Sequence, residues 1–175
     1  MSTRRHVVLI GIMGSGKTAI GEHLAERLGR PFVDTDAVIE SQAGVSIRHL
    51  FAEQGEEAFR EIERRVVGEV LRRDDPAVVA TGGGAVLDPV SRSLMVDRGV
   101  VVWLDPPIER IAARLGDDDS RPLLDGRPAA EGLTRIRADR AARYEEVAHT
   151  RVAIDADVVV VADAVAAAIE TLEAA

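Results

Sequence analysis

The chain is 175 residues long, 46% hydrophobic and 30% charged, with a formal net charge of −8 and no cysteine. These values suit a single soluble domain and exclude a disordered chain, disulfides, thiol catalysis and cysteine-based zinc or iron–sulfur sites. The acidic balance argues against a general nucleic-acid binder, which needs a basic face. No apolar run approaches membrane-spanning length, so a cytoplasmic protein without nucleic-acid or membrane partners is expected.

The first predicted element is a buried strand over His6 to Ile10, a short run rich in β-branched residues. It runs into Gly11-Ile12-Met13-Gly14-Ser15-Gly16-Lys17-Thr18, which spells the phosphate-binding loop G-x-x-x-x-G-K-[ST], and Ala19 to Leu28 then reads as a helix. Strand, loop and helix in that order form a cradle for a nucleoside triphosphate. Backbone N–H groups at the helix start face the anion with the helix dipole behind them. Gly14, Ser15, Gly16, Lys17, Thr18 and Ala19 are therefore the expected nucleotide contacts, with Lys17 on the β- and γ-phosphates and the Thr18 hydroxyl on Mg²⁺.

Gly29 and Pro31 end that helix, and a second strand, Phe32-Val33, leads to Asp34-Thr35-Asp36. In open α/β sheets ligands collect at the carboxyl ends of strands, so these two acids are placed to meet metal and substrate. Either could instead cap a helix over Ala37 to Gln42. From Glu53 to Arg73, the spacing of Phe59, Ile62, Val66 and Val70 predicts an amphipathic helix, and Arg60, off that stripe, reads by itself as a surface residue.

A third strand, Ala77 to Thr81, ends in Gly82-Gly83-Gly84, where many phosphate-loop enzymes carry a metal-assisting Asp. Glycines there allow close approach to the backbone or form a flexible turn. The metal-assisting carboxylate must then come from another strand end. Asp34 is the first choice and Asp105, after a strand over Val100 to Leu104, the rival, although Asp105-Pro106 reads as a helix cap followed by proline at the first helical position.

The next helix, through Ile108, Ile111 and Leu115, carries Arg110 and Arg114. About 116–127 is a polar Gly- and Pro-containing segment with Asp117, Asp118, Asp119 and Arg121, the composition of a mobile lid. A long helix over Ala129 to His149 carries Arg137, Arg140 and Arg143. A last strand over Arg151 to Ile154 and a helix with Val165, Ile169 and Leu172 complete the chain. The scattered histidines have no ligand spacing.

The phosphate loop, Asp34-Thr35-Asp36, Phe59-Arg60, the triple glycine, Arg121-Pro122-Leu123-Leu124, and Arg140 with Tyr144, in that order over nearly the whole chain, closely resemble the shikimate kinase family. The resemblance implies an α/β, three-layer P-loop fold with a five-stranded parallel sheet of order 2-3-1-4-5, flanked by helices and covered by a lid. It implies a monomer that transfers the γ-phosphate of ATP, with Mg²⁺, to the 3-hydroxyl of shikimate. Arg60, Arg140 and the backbone of Gly82, Gly83 and Gly84 match the positions that hold the shikimate carboxylate. Asp36 matches the acid on the ring hydroxyls, Asp34 the acid near Mg²⁺, Arg121 the lid arginine and Arg114 the arginine near adenine. Lys17, Asp36 and Arg121 are the expected catalytic residues, with about 35–73 as the acceptor-binding region. The segment Ile154 to Val158 departs from the family by offering no matching adenine contact. Another small-molecule kinase of this fold, such as a gluconate or nucleotide kinase, and a nucleotide-dependent regulatory module are the competing readings.

Overall fold

A computed structural model of the protein describes residues 5–116, 127–153 and 155–174. Five strands, β1 (His6–Ile10), β2 (Phe32–Asp34), β3 (Val78–Ala80), β4 (Gly99–Leu104) and β5 (Thr150–Val152), form one parallel sheet in the order β2-β3-β1-β4-β5. The order matches the family expectation. β1 is the central strand, and Val7, Val8, Leu9 and Ile10 are all inaccessible to solvent because both sheet faces are covered. Val8, Ile10, Val79, Val101 and Trp103 point into the larger core with α3 (Ile47–Leu71), α4 (Pro89–Arg98) and α6 (Ala129–Val147). Their strand neighbours Val7, Leu9, Val78, Val100 and Val102 point the other way, onto α1 (Lys17–Leu28) and α7 (Val158–Ala174).

The helix expected over Ala37 to Gln42 is α2 (Thr35–Ala43), and Asp34 is its N-cap. The helix expected from Glu53 begins earlier, at Ile47, where the Ser46 hydroxyl accepts from the His49 N–H. It is broken at Gly55, whose φ of 81° and ψ of 174° belong to a region open essentially to glycine alone. The sequence reading singled out no helix over Pro89–Arg98. Its signal is Asp88, whose side chain accepts from the Ser91 N–H at 2.7 Å, followed by Pro89 at the first helical position.

One expectation is overturned. Asp105 does not cap the next helix, α5 (Ile108–Leu115), which starts later, behind Pro107, without a side-chain cap. Instead the Asp105 carboxylate is buried against Arg137 and Arg151. Local cap propensity lost to two guanidinium groups brought in from α6 and β5. The expected lid falls mostly on 117–126, so Arg121 and Asp117, Asp118 and Asp119 lie outside the described residues. Among the described residues no helix is long and apolar enough to cross a membrane.

Candidate active site

β1 delivers the phosphate loop to the carboxyl edge of the sheet. Gly11 sits at φ 148°, and a Cβ there would run into the Leu104 carbonyl, so the loop lies tight against the end of β4. Gly16, at φ 92°, is the left-handed residue from which α1 starts. Lys17 folds back over the loop, donating from Nζ to the Gly11 carbonyl at 2.8 Å, the Ile12 carbonyl at 2.9 Å and Ser15 Oγ at 3.3 Å. Burial pulls its ammonium down to about 8, against the opposing attraction of Asp36 and Asp34.

At the end of β2, Asp34 serves both roles that its sequence position allows. One carboxylate oxygen caps α2, accepting from the Asp36 N–H at 2.9 Å and the Ala37 N–H at 3.3 Å, while the other accepts the Thr18 hydroxyl at 2.8 Å. The cap thus aims the free oxygen at the phosphate-loop threonine. Two hard oxygen donors at the mouth of a phosphate loop suit Mg²⁺, which takes few protein ligands and completes its shell with phosphate and water.

The other half of the cleft is built from charged side chains that converge on the glycine run. A Cβ on Gly82 would stand 2.5 Å from Glu63 Oε1 and 2.8 Å from Asp36 Oδ1; one on Gly83 would stand 3.3 Å from Arg140 Nη1; one on Gly84 would overlap the Arg60 guanidinium. None of the three has the left-handed φ of a glycine turn. A side chain on Gly82 or Gly84 would collide with acids or a guanidinium group, and one on Gly83 would also press on the phosphate-loop backbone at Gly11 and Met13, both 3.2 Å away. The Gly82 N–H is itself taken by Thr35 Oγ1 at 3.3 Å.

Arg60 is not the surface residue that its place off the apolar stripe suggested. Its Nη1 donates to buried Glu63 at 2.7 Å and its Nη2 to Glu56 at 3.3 Å, and its Nε is buried without a protein partner among the described residues. Glu63, only 3% exposed, is the site residue that the sequence reading missed. Its one legible signal is a spacing of three from Arg60 on a helix, which brings the two together. Burial pushes its carboxyl up and Arg60 pulls it back. Asp36 Oδ1 is buried with no hydrogen-bond partner among the described residues. Burial, helped by the nearby Glu63 and Asp34 carboxylates and opposed by Lys17, pushes Asp36 up to about 6. Arg140, buried on α6, lies against the Tyr144 hydroxyl, which donates to the Gly83 carbonyl at 2.6 Å.

A cleft of about 420 Å³ runs along the phosphate loop, lined among others by Gly14, Lys17, Thr18 and Asp34, and reaches Asp36 and Gly83 of the charged half. Arg114 reaches the same cleft from α5, and a neighbouring hollow of about 150 Å³ lies beyond it, against Ile20, Pro106 and Asp157. Of the expected residues, Gly14, Gly16, Lys17, Thr18, Ala19, Asp34, Asp36, Gly83 and Arg114 line the larger cleft, while Arg60 and Arg140 stand behind it against Gly84 and Gly83. A phosphate loop with a threonine–aspartate pair, beside a glycine run that packs against two guanidinium groups and a carboxylate with one partnerless oxygen, defines a P-loop kinase that acts on a small acceptor.

The shikimate kinase family model matches residues 13–172. A shikimate kinase of Symbiobacterium thermophilum is 46% identical over 155 residues, covering 86% of this chain and 87% of that protein. The solved shikimate kinase from Acinetobacter baumannii in complex with shikimate superposes with a TM-score of 0.92 at 36% identity, covering 98% of this chain and 96% of that one. For the shikimate kinase from Aquifex aeolicus the values are 0.82 and 30%, with 95% and 97% covered. The chain belongs to the shikimate kinase family.

Proposed function

We propose that this enzyme phosphorylates the 3-hydroxyl of shikimate with ATP, giving shikimate 3-phosphate and ADP, as a step toward chorismate and the aromatic amino acids. The observation that carries this reading is the glycine run beside the phosphate loop, with Asp36 against Gly82, Arg140 against Gly83 and Arg60 against Gly84. Planar guanidinium forks suit a carboxylate, and an ionised carboxylate suits vicinal hydroxyls. Shikimate offers both groups on one small ring.

In this reading Arg60 and Arg140 hold the acceptor carboxylate, and Asp36 accepts a hydrogen bond from the hydroxyl to be phosphorylated. That oxygen forms a bond to the γ-phosphorus as the bond to the bridging oxygen breaks and ADP leaves, and the hydroxyl proton passes to Asp36. Raised to about 6, Asp36 is ionised at neutral pH yet basic enough to take that proton. Glu63 does not touch the acceptor in this scheme; it holds Arg60 in place. Lys17 leaves the loop carbonyls for the β- and γ-phosphates, Arg114 flanks the adenine, and the family match assigns Arg121 to the transferring group. Thr18 and Asp34 would hold Mg²⁺. The ion supplies charge neutralisation on the phosphates.

An ADP-release assay against shikimate, gluconate and nucleoside monophosphates tests the proposal directly. Turnover confined to shikimate is expected; equal or greater turnover with either of the others would overturn it.

A further inference from the structure

A charged cluster that the mechanism does not use lies behind the site. Asp105, the residue after β4, is 7% exposed and takes three hydrogen bonds. Its Oδ1 accepts from Arg137 Nε at 2.7 Å, and its Oδ2 accepts from Arg137 Nη2 at 2.6 Å and Arg151 Nη2 at 2.5 Å. Both guanidinium groups also lie over the ring of Trp103, Arg137 at 5.8 Å and Arg151 at 4.6 Å from its centroid. The Asp105 N–H donates to the Val152 carbonyl at 2.9 Å, which ties the carboxylate's own backbone to β5. Exposed ion pairs count for little, but a two-pronged arginine on a buried carboxylate is directional and resists rotation.

The position of this cluster gives it a consequence for the acceptor pocket. Arg137 stands three residues before Arg140 on α6, so the two side chains are neighbours on one face of the helix. Four residues beyond Arg140, Tyr144 packs its ring against Trp103, tilted by 30° at 5.4 Å between centroids, and its hydroxyl donates to the Gly83 carbonyl. Arg140 is thus flanked by two anchors that fasten α6 to the sheet. The Asp105 anchor follows directly on Leu104, whose carbonyl meets Gly11 of the phosphate loop. One rigid path therefore runs from the nucleotide loop through β4 and Asp105 to the helix that carries Arg140.

We infer that Asp105 and Arg137 are positioning residues that set the height and rotation of α6, so that Arg140 meets the acceptor carboxylate while the phosphate loop holds the donor. This inference rests on the reading of Arg140 as an acceptor contact. Lysine at 137 would keep the charge but lose the fork that fixes the angle of the helix. A helix displaced by a fraction of a turn's rise leaves Arg140 short of its partner, and misplacements of that order cost roughly ten- to a hundredfold in turnover efficiency.

Steady-state kinetics and calorimetry on Arg137→Gln, Arg137→Lys, Arg140→Gln and the Arg137→Gln/Arg140→Gln double variant test the inference. Arg137→Gln is expected to raise the shikimate KM about tenfold with the ATP KM within about twofold, Arg137→Lys to fall between it and the wild type, and the double variant to be little worse than Arg140→Gln by itself. Trp103, the one tryptophan in the chain, should shift its emission in Arg137→Gln while the far-ultraviolet circular dichroism stays native, so that a released anchor is told from an unfolded chain. Equal losses for both substrates, strictly additive losses in the double variant, or a drop in melting temperature with unchanged shikimate KM would each overturn the positioning role and leave the reading of Arg140 intact. Wild-type shikimate binding in Arg140→Gln would instead sink the reading of Arg140, and the positioning role with it.

Discussion

The proposed nucleotide side of the site is shaped by eight consecutive residues, Gly11 to Thr18, while the proposed acceptor side draws Asp36, Arg60, Gly82–Gly84 and Arg140 from four separate parts of the chain. The first works through backbone geometry and can be recognised wherever strand, loop and helix follow one another. The second works through side-chain charges that must be buried side by side, each a cost to stability unless another offsets it. The difference predicts opposite mutational signatures. Damage to the loop should remove chemistry and leave the fold at least as stable, whereas loss of an acceptor-side guanidinium should cost recognition and stability together.

The largest effect is expected from Lys17→Ala. Loss of the cation that neutralises the transferring phosphates should lower kcat by at least about 10³-fold. The folded-state value of Lys17 lies near 8, below its ordinary 10.5, so the charged form is penalised by folding. The penalty is fully present below pH 8 and relieved as pH rises from 8 toward 10.5. The ligand-free variant should therefore melt above the wild type at pH 7, and that gap should narrow at higher pH. A variant that melts lower at pH 7 would break the contrast between the two halves.

Arg60→Ala comes next. It should cost about 2–5 kcal/mol of shikimate binding by calorimetry with ATP binding nearly unchanged. Unlike the lysine variant it should also lower the melting temperature, since Glu63 is left buried without its partner. Arg60→Ala with Glu63→Gln should recover part of the melting temperature and none of the shikimate affinity. Equal losses for ATP and shikimate would erase the distinction.

Asp36 sharpens the comparison through pH. Its folded value of about 6 lies above the ordinary 3.8, so between those values the native state binds more protons than the unfolded chain. Stability therefore falls as pH rises through that window, by about 3 kcal/mol once Asp36 is fully ionised. Asp36→Asn should raise the melting temperature at pH 7 and flatten its pH dependence between 4 and 6, while abolishing most turnover. In the wild type the acidic limb of kcat/KM for shikimate should bend near pH 6. A limb bending near pH 4 would mean that Asp36 is not the group being titrated.

The smallest expected effect belongs to Gly84→Ala. The new methyl must displace the Arg60 guanidinium, which sits at the end of a flexible side chain and can give way. The shikimate KM should rise about tenfold at near-normal ATP KM, as for a misplaced binding group. No change would mean that the glycine run is not there to admit Arg60.

The sequence alone determined the elements whose physics is local. The phosphate loop was legible because its motif describes a backbone path between a strand and a helix, and the β1 and β4 strands because burial on both faces leaves continuous apolar runs. The sheet order, Arg60 and Arg140 were legible through the family pattern; by residue spacing Arg60 was a surface arginine. The sequence also held two uses for Asp34 without choosing between them, and the structure keeps both because a carboxylate has two oxygens, one for the α2 N-terminus and one for Thr18. Only the tertiary structure decided Glu63, whose spacing announces a helical ion pair but not its burial under the glycine run, and Asp105, whose local signal was a cap. Asp105 was settled by Arg137 and Arg151, partners 32 and 46 residues away. Two guanidinium groups on one buried carboxylate outweigh a cap preference worth about 1 kcal/mol, and which distant charges will meet is fixed by how the helices pack on the sheet.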